Sequence, residues 1–210
     1  MATVAIVAAT GRTGRILVEQ ALIAGHTVTA IARQPLSLDV IHPRLTTRAA
    51  DVLTPGSLDG LLNGHDAVIS ALGSSGRGPT TVYSTGTATI TAALEKAGTR
   101  RLIVLSSAGL GVPDGAHPAM RLFAGLLRRI MRGPYTDMAR MEHFLATTDL
   151  DWTSVRPTAL NDKPGSTARR VSLGATAPVG NQISRTDLAR YIIEHLQDPA
   201  TYRTTVAISS

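Results

Sequence analysis

Hydrophobic positions along this chain fall into two alternating kinds of segment. Short β-branched runs, too brief for a stable helix, precede longer stretches in which apolar residues recur at helical spacing. The predicted strands are Thr3–Ala8, Thr27–Ala32, Leu45–Ala50, Asp66–Ser70, Arg101–Leu105, Trp152–Val155 and Thr204–Ile208. The predicted helices are Arg12–Ala24, Pro55–Leu62, Thr80–Ala97, Arg121–Arg132, Asp137–Thr147 and Thr186–Leu196.

Strands that alternate with helices favour right-handed crossovers and a parallel sheet covered on both faces. The pattern therefore predicts an α/β fold, with a Rossmann-like, doubly wound, mainly parallel sheet in a single domain over residues 1–210. Gly25 and Gly98 stand where helix C-terminal caps belong, and Ser184 precedes the last helix as an N-cap. The stretch Leu160–Ser172 is expected to be a surface loop.

Composition narrows the class of protein. Of 210 residues, 43% are hydrophobic and 3% aromatic, so the core of one domain is expected to be aliphatic. The absence of cysteine excludes disulfides, thiolate metal sites and a cysteine nucleophile. The histidines show no metal-ligand spacing, so no metal is expected. Since there is no signal-peptide pattern and no apolar run near the ~20 residues of a spanning helix, we expect a cytoplasmic protein with no membrane span.

The excess of basic over acidic residues says less about the function of the chain. Lysine and arginine number 21 against 15 acidic residues, giving a net charge of +6, and Lys96 and Lys163 are the only lysines. Because the arginines are dispersed and aromatic residues are few, we expect a solvated basic surface and no nucleic-acid partner. Arg121–Arg132 (RLFAGLLRRIMR) is compatible with a lid or core helix, or with a membrane or protein partner, and the sequence leaves its function open.

A glycine loop joins the first predicted strand to the first helix, in the segment Ala8–Gly14 (AATGRTG). A helix N-terminus offers free N–H groups and a partial positive charge, and so binds phosphate. Gly11 leaves room for the phosphates, and Gly14 lets the helix pack closely on the sheet. Further donors in the loop are Thr10, Arg12 and Thr13. The loop predicts dinucleotide binding, with a tight turn of small residues as the alternative.

The end of the second strand indicates which dinucleotide binds. An acidic residue at this position binds the ribose hydroxyls of NAD, but here Arg33 ends the strand and no acid follows until Asp39. A guanidinium pairs with a 2′-phosphate through its fork of donors. We therefore expect NADP(H), the alternative being an exposed arginine without this role.

Two other strand ends supply candidate contacts to the adenosine. Asp51 and Val52 follow the third strand, where they would meet the adenine, although an aspartate in a turn or N-cap is the alternative. The candidate ribose contacts after the fourth strand are Leu72, Gly73 and Ser74. Gly73 would allow the backbone to pass close to the sugar.

The fifth strand ends at a pair of serines, Ser106 and Ser107, beside the expected nicotinamide. In short-chain dehydrogenases such a serine works with a Tyr-x-x-x-Lys proton relay, yet no tyrosine here has a lysine four residues later. Tyr135 has Arg140 five residues on, and an arginine has too high a pKa for acid–base work. The sequence thus favours hydride transfer to an acceptor that needs little proton assistance, such as a flavin, quinone or conjugated pigment.

Several segments together resemble the atypical short-chain dehydrogenases with an NAD(P)H-binding domain, of the flavin reductase (NADPH) and biliverdin-IXβ reductase type. The segments are Ala8–Gly14, Pro79–Ser84, Leu105–Leu110, Asp151–Pro157 and Ile183–Ala189. The resemblance implies an NADPH-dependent reductase of planar acceptors (flavin, quinone or bilin-like). It implies pyrophosphate contacts from Thr10, Gly11, Arg12 and Thr13. It also implies Ser107 as the active-site serine, with Pro157 and Thr158 closing the nicotinamide pocket.

The chain also departs from that family. The family's first loop glycine is Ala8 here, and two histidines of the reductase site correspond to Met138 and Ala159, which weakens the case for a bilin substrate. Glu142 is expected to have a structural pairing role. A non-catalytic NADP-binding redox sensor is the alternative function, and an epimerase is disfavoured by the missing relay. The sequence is compatible with a monomer or a homodimer.

Overall fold

The computed structural model describes residues 1–111, 125, 129–166, 168–175, 177 and 179–210. The strands are β1 (Thr3–Val7), β2 (Thr27–Ala32), β3 (Leu45–Ala49), β4 (Ala67–Ser70), β5 (Arg101–Leu105), β6 (Asp151–Pro157), β7 (Ala159–Asn161), β8 (Arg170–Leu173), β9 (Gln182–Ser184) and β10 (Thr204–Ser209). The helices are α1 (Arg12–Ile23), α2 (Val82–Ala97), α3 (Arg132–Ala146) and α4 (Arg185–Glu194).

Eight strands form one sheet in the order β3-β2-β1-β4-β5-β6-β10-β8. Every pairing in it is parallel except that of β8 with β10, and β7 pairs with β9 in a separate two-stranded ribbon. The direction of winding reverses between β1 and β4, which is the arrangement of doubly wound dinucleotide-binding sheets. The predicted Rossmann-like α/β fold is confirmed.

Helices cover both faces of the sheet, which explains the continuous apolar runs of the central strands. Along β1, Val4 and Ile6 pack in a core with α1 and α4, whereas Ala5 and Val7 pack in a second core with α2 and α3. The predicted caps are also present. Gly25 and Gly98 have φ of +87° and +69°, and the Ser184 hydroxyl accepts a hydrogen bond from the N–H of Asp187 at 3.0 Å.

The prediction of a helix at Pro55–Leu62 is wrong. Residues 52–64 form a series of turns, because Gly56, Gly60 and Gly64 adopt φ of +75°, +74° and +73° and interrupt any right-handed helix every fourth residue. Leu58 and Leu62 are nevertheless fully buried. Thr54 as a candidate N-cap and Pro55 at the first helical position favoured a helix here, but the two residues belong to a turn closed by the Ser57 N–H and the Thr54 carbonyl.

The prediction that Leu160–Ser172 is only a loop is also wrong, because β7 ends within it and β8 begins within it. Strands of three or four residues are too short for a periodicity to reveal. α3 begins at Arg132 rather than Asp137, and Pro134 is tolerated since its missing N–H falls in the first turn. Most of the predicted helix Arg121–Arg132 lies outside the described residues. Within the described parts of the chain, no helix has the length and apolarity to cross a membrane.

At the end of the sheet opposite the glycine loop, a buried arginine forms hydrogen bonds to several segments of the chain. Arg101, on β5, is 4% exposed and donates to the carbonyls of Leu196, His195 and Asp151 at 2.6, 3.3 and 2.8 Å. Its other hydrogen-bond partners are the hydroxyls of Thr153 and Thr201. Burial lowers the pKa of Arg101 to about 10, so the guanidinium stays charged at neutral pH. It holds the carbonyls that directly follow α4 against the sheet.

Replacing Arg101 with Met is therefore expected to lower the free energy of unfolding by about 3 kcal/mol, because several buried carbonyls lose their donor. Urea denaturation measures the loss. The matched control is Arg100→Met, whose side chain is 60% exposed and whose loss should stay below about 1 kcal/mol. Equal losses for the two variants would contradict the role assigned to Arg101.

Candidate dinucleotide-binding site

A cleft of about 1320 Å³ runs along the carboxyl ends of the central strands, where open α/β sheets bind ligands. Most of the predicted site residues line it: Ala8, Thr10, Gly11, Arg12, Thr13, Arg33, Asp51, Val52, Leu72, Gly73, Ser74, Ser106 and Pro157. Gly14, Ser107 and Thr158 are not part of its lining. The fold thus brings residues from six strand ends into a single cavity.

The glycine loop aims the N-terminus of α1 into this cleft. Gly11 is the N-cap, with no side chain capping the first turn, and its N–H donates to the Ala8 carbonyl at 3.1 Å. Ala8 adopts φ of +59°, a conformation that glycine adopts without strain. A Cβ at Gly14 would lie 2.3 Å from the Ala8 oxygen and 2.9 Å from the Ala9 Cα. Gly14 therefore serves helix packing, which is why it does not line the cleft.

The end of the cleft beside β2 and β3 contains an arginine that has no acidic partner among the described residues. Arg33 follows the buried end of β2, is exposed and lines the cleft, and it forms no ion pair with any acid in the described part of the chain. Asp51 lines the same end, where one carboxylate oxygen accepts the Leu53 N–H at 3.0 Å and its carbonyl accepts the Ser57 hydroxyl at 2.6 Å. Asp51 is thus a turn residue whose second carboxylate oxygen remains available to a ligand.

A buried carboxylate, which sequence patterns did not predict, fixes the loop that lines the middle of the cleft. Asp137, on α3, is completely buried and accepts the Tyr83 N–H at 2.9 Å together with the Ser84 hydroxyl, so it caps α2 from another helix. The Tyr83 hydroxyl in turn accepts the Ser74 N–H at 3.1 Å. This chain of contacts fixes the loop after β4, and its partners are 54 residues apart in sequence.

The carboxyl end of β5 presents two serines with different surroundings. Ser106 is 6% exposed, and its buried hydroxyl has no hydrogen-bond partner among the described residues. Ser107 points toward α3, where its hydroxyl lies 3.4 Å from the Tyr135 hydroxyl. A Cβ at Gly109 would come within 2.3 Å of that phenolic oxygen, so Gly109 makes room for the pair.

A serine and a tyrosine are thus brought together without the lysine that a proton relay requires. The position four residues after Tyr135 is Ala139, and Lys96 is paired with Asp59 at 2.7 Å elsewhere. Thr158, predicted to close the nicotinamide pocket, instead directs its hydroxyl to the Ile208 carbonyl at 3.4 Å. The orphaned Ser106 hydroxyl and the uncapped α1 terminus fit a bound dinucleotide, whose nicotinamide and phosphates need such donors.

Glu142 has the structural partners expected of it. Its carboxylate accepts the Ser154 hydroxyl at 2.7 Å and two donors of Arg156 at 3.0 and 2.5 Å. The ion pair is mostly buried, with side chains 18% and 11% exposed for Arg156 and Glu142. It joins α3 to β6 directly before Pro157.

Other lining residues come from elements remote in sequence, which is why sequence patterns missed them. They include Tyr83 on α2, Met131 just before α3, Leu160 on β7 and Arg185 at the start of α4. Met138 on α3, which the family resemblance had already placed at the site, also lines the cleft. Among the described residues there is no group of acidic or histidine side chains that could hold a metal ion.

Comparison with known proteins agrees with this geometry. Residues 8–199 match the model of the NAD(P)H-binding family, and the chain belongs to that family. It is 25% identical over 217 residues to the UPF0659 protein YMR090W of Saccharomyces cerevisiae, covering 98% of this chain and 92% of the relative.

Solved structures share the fold at low sequence identity. One is the oxidoreductase ylbE of Lactococcus lactis, 21% identical with a TM-score of 0.80, covering 99% of this chain and 90% of that one. Another is a short-chain dehydrogenase/reductase (wide type) of Veillonella parvula in complex with NADP. It is also 21% identical with a TM-score of 0.80, covering 100% of this chain and 94% of that one.

The two loop glycines should respond differently to substitution. Gly14→Ala is expected to lower the free energy of unfolding by about 1–3 kcal/mol, because its Cβ meets backbone atoms that cannot move aside cheaply. Gly11→Ala, with its Cβ 3.3 Å from the nearest atom, should cost less stability but weaken dinucleotide binding. Urea denaturation and calorimetric titration measure the two effects. A Gly14→Ala variant as stable as the wild type would contradict the packing argument.

Proposed function

We propose that the protein is an NADP(H)-dependent oxidoreductase that reduces flavins or related planar conjugated acceptors. The observation that carries this proposal is the continuity of the cleft from the glycine loop to Ser106 at the end of β5. At about 1320 Å³, it exceeds the roughly 300–1,000 Å³ of most ligand pockets. There is room for a dinucleotide and for a second planar molecule beside its nicotinamide.

The preference for NADP(H) rests on the unpaired Arg33 at the end of β2. No described acid neutralises it, and no acid occupies the position that would bind the ribose hydroxyls of NAD. The Veillonella parvula relative solved with NADP supports the same choice. In this proposal Asp51 and Val52 meet the adenine, and Leu72, Gly73 and Ser74 line the ribose.

At the reacting end, the bound cofactor supplies a hydride. The chain's own groups orient the reactants there. Ser106 would donate its unpaired hydroxyl to the nicotinamide, and Ser107 would position the Tyr135 hydroxyl through the contact between the two hydroxyl groups. Without a neighbouring lysine, Tyr135 acts as a hydrogen-bond donor rather than a strong proton relay. Met131 and Met138 give the acceptor side an apolar, adaptable wall suited to a flat ring.

The test is acceptor-dependent oxidation of NADPH by the purified protein. Riboflavin, flavin mononucleotide and a quinone should each accelerate the loss of nicotinamide absorbance under anaerobic conditions, whereas a simple ketone should not. Protein that binds NADP⁺ but turns over none of these acceptors would contradict the reductase proposal and favour a non-catalytic binding protein.

Arg33→Ala should separate the two cofactors. Loss of a charge-assisted contact worth roughly 1.5–3 kcal/mol weakens NADPH binding about 10- to 150-fold, while NADH, which lacks the 2′-phosphate, is little affected. Calorimetric titration of both cofactors measures the difference. Arg48→Ala is the control, since Arg48 is exposed on the neighbouring strand but does not line the cleft. Equal weakening of NADPH and NADH would rule out this assignment.

A further inference from the structure

An ion bridge of three residues crosses the mouth of the cleft. The two oxygens of Asp162 bind two different arginines: Oδ2 accepts from Arg12, the first residue of α1, and Oδ1 accepts from Arg185, the first residue of α4, at 2.6 Å. Because both guanidiniums share one carboxylate, Arg185 lies beside the glycine loop even though the two are far apart in sequence.

The bridging carboxylate is positioned by the β7–β9 ribbon. Asp162 directly follows β7, and the preceding Asn161 binds Gln182 on β9 through their side chains at 3.1 Å. The Asn161 side chain also accepts the Lys163 N–H at 3.0 Å, which secures the chain on both sides of Asp162. The side chain of Asp162 is itself 54% exposed, so it can turn to solvent without disturbing the ribbon.

Arg185 is mostly buried, but not all of its guanidinium donors have hydrogen-bond partners. Its side chain is 11% exposed and lines the cleft, and its buried Nε has no hydrogen-bond partner in the described part of the chain. A buried cation needs an anion and filled donors, but the one carboxylate that pairs with Arg185 among the described residues is shared with Arg12. The bridge therefore carries one excess positive charge.

Asp162 remains an anion in this setting. Although desolvation raises the pKa of Asp162, the hydrogen bond and charge of Arg185, joined by those of Arg12, lower it on balance. The carboxylate is thus a permanent counter-ion of the two arginines at neutral pH.

We propose that Arg185 is an anion-binding residue of the cleft, and that a phosphate-type oxyanion of a bound ligand displaces Asp162 from it. The inference rests on the proposed function, since it requires a dinucleotide or an anionic acceptor in the cleft. Because Arg185 lies beside Arg12, the diphosphate of the cofactor is the nearer source of that oxyanion. An anionic group on the acceptor is a second source of the same chemistry.

Two substitutions test the proposal through binding alone. Arg185→Gln should weaken NADP⁺ binding about 10- to 100-fold. It should leave adenosine 2′,5′-bisphosphate, which lacks the second phosphate of the diphosphate, within about twofold. Asp162→Asn should tighten NADP⁺ about two- to fivefold, because the competing carboxylate is gone. Calorimetric titration measures each constant.

The matched control is Arg169→Gln, which removes an arginine of comparable burial, 22% exposed and paired with Glu194 at 2.6 Å, from outside the cleft. It should leave all these constants unchanged. If Arg185→Gln does not fold, Arg185→Lys serves instead, since it keeps the charge but loses the fork of donors.

The outcomes separate the sources of the anion. Selective loss of NADP⁺ supports the diphosphate. Loss of the preference for flavin mononucleotide over riboflavin, measured on NADP⁺-saturated protein, supports the acceptor. Equal weakening of NADP⁺ and the bisphosphate, no change in any ligand, or weaker NADP⁺ binding by Asp162→Asn would overturn the proposal. None of these titrations needs turnover. If the wild-type protein binds NADP⁺ but reduces no acceptor, that result contradicts the proposed reductase activity and leaves the proposed role of Arg185 intact.

Discussion

The close approach of α1 to the end of β1 is the constraint on which the rest of the structure depends. Gly14 lies against the Ala8 carbonyl with no space for a side chain, and this contact directs the first turn of α1 at the cleft. The same approach brings Ala8 into a left-handed conformation, which costs an L-residue roughly 1–2 kcal/mol. The fold accepts that strain because the resulting turn presents backbone N–H groups, rather than a side chain, to a ligand.

Much of the fold follows from local sequence. The buried strands read as short β-branched runs because helices cover both faces of the sheet, and the caps at Gly25, Gly98 and Ser184 were predictable from single residues. The turns between Leu53 and Gly64 were not, since Thr54 and Pro55 are typical of a helix start, whereas the glycines that follow adopt left-handed conformations. The spacing of apolar residues indicates which side chains are buried, whereas the left-handed glycines determine the backbone conformation between them.

The residues of the candidate site also differ in whether the sequence alone could predict them. Residues at strand ends, such as Thr10, Arg33 and Ser106, could be predicted because parallel strands deliver their carboxyl ends to one edge. Asp137 and Arg185 could not, since each acts on an element far away in sequence through a contact that only the packed helices create. Local patterns locate the edge of the sheet where the chemistry occurs, but not the side chains that opposing elements contribute to it.

Two arginines in the cleft, Arg33 and Arg185, differ in burial and in whether they already hold an anion. Arg33 is exposed and pairs with no described acid, so in the proposed function it would bind a phosphate at little cost in desolvation. Arg185 is buried and already holds Asp162, so a ligand must exchange one anion for another there. Such an exchange selects for the charge and geometry of the incoming group rather than for charge alone. Through Arg185, the proposed exchange would connect the cleft to α4, which packs with α1 in one core on the same face of the sheet.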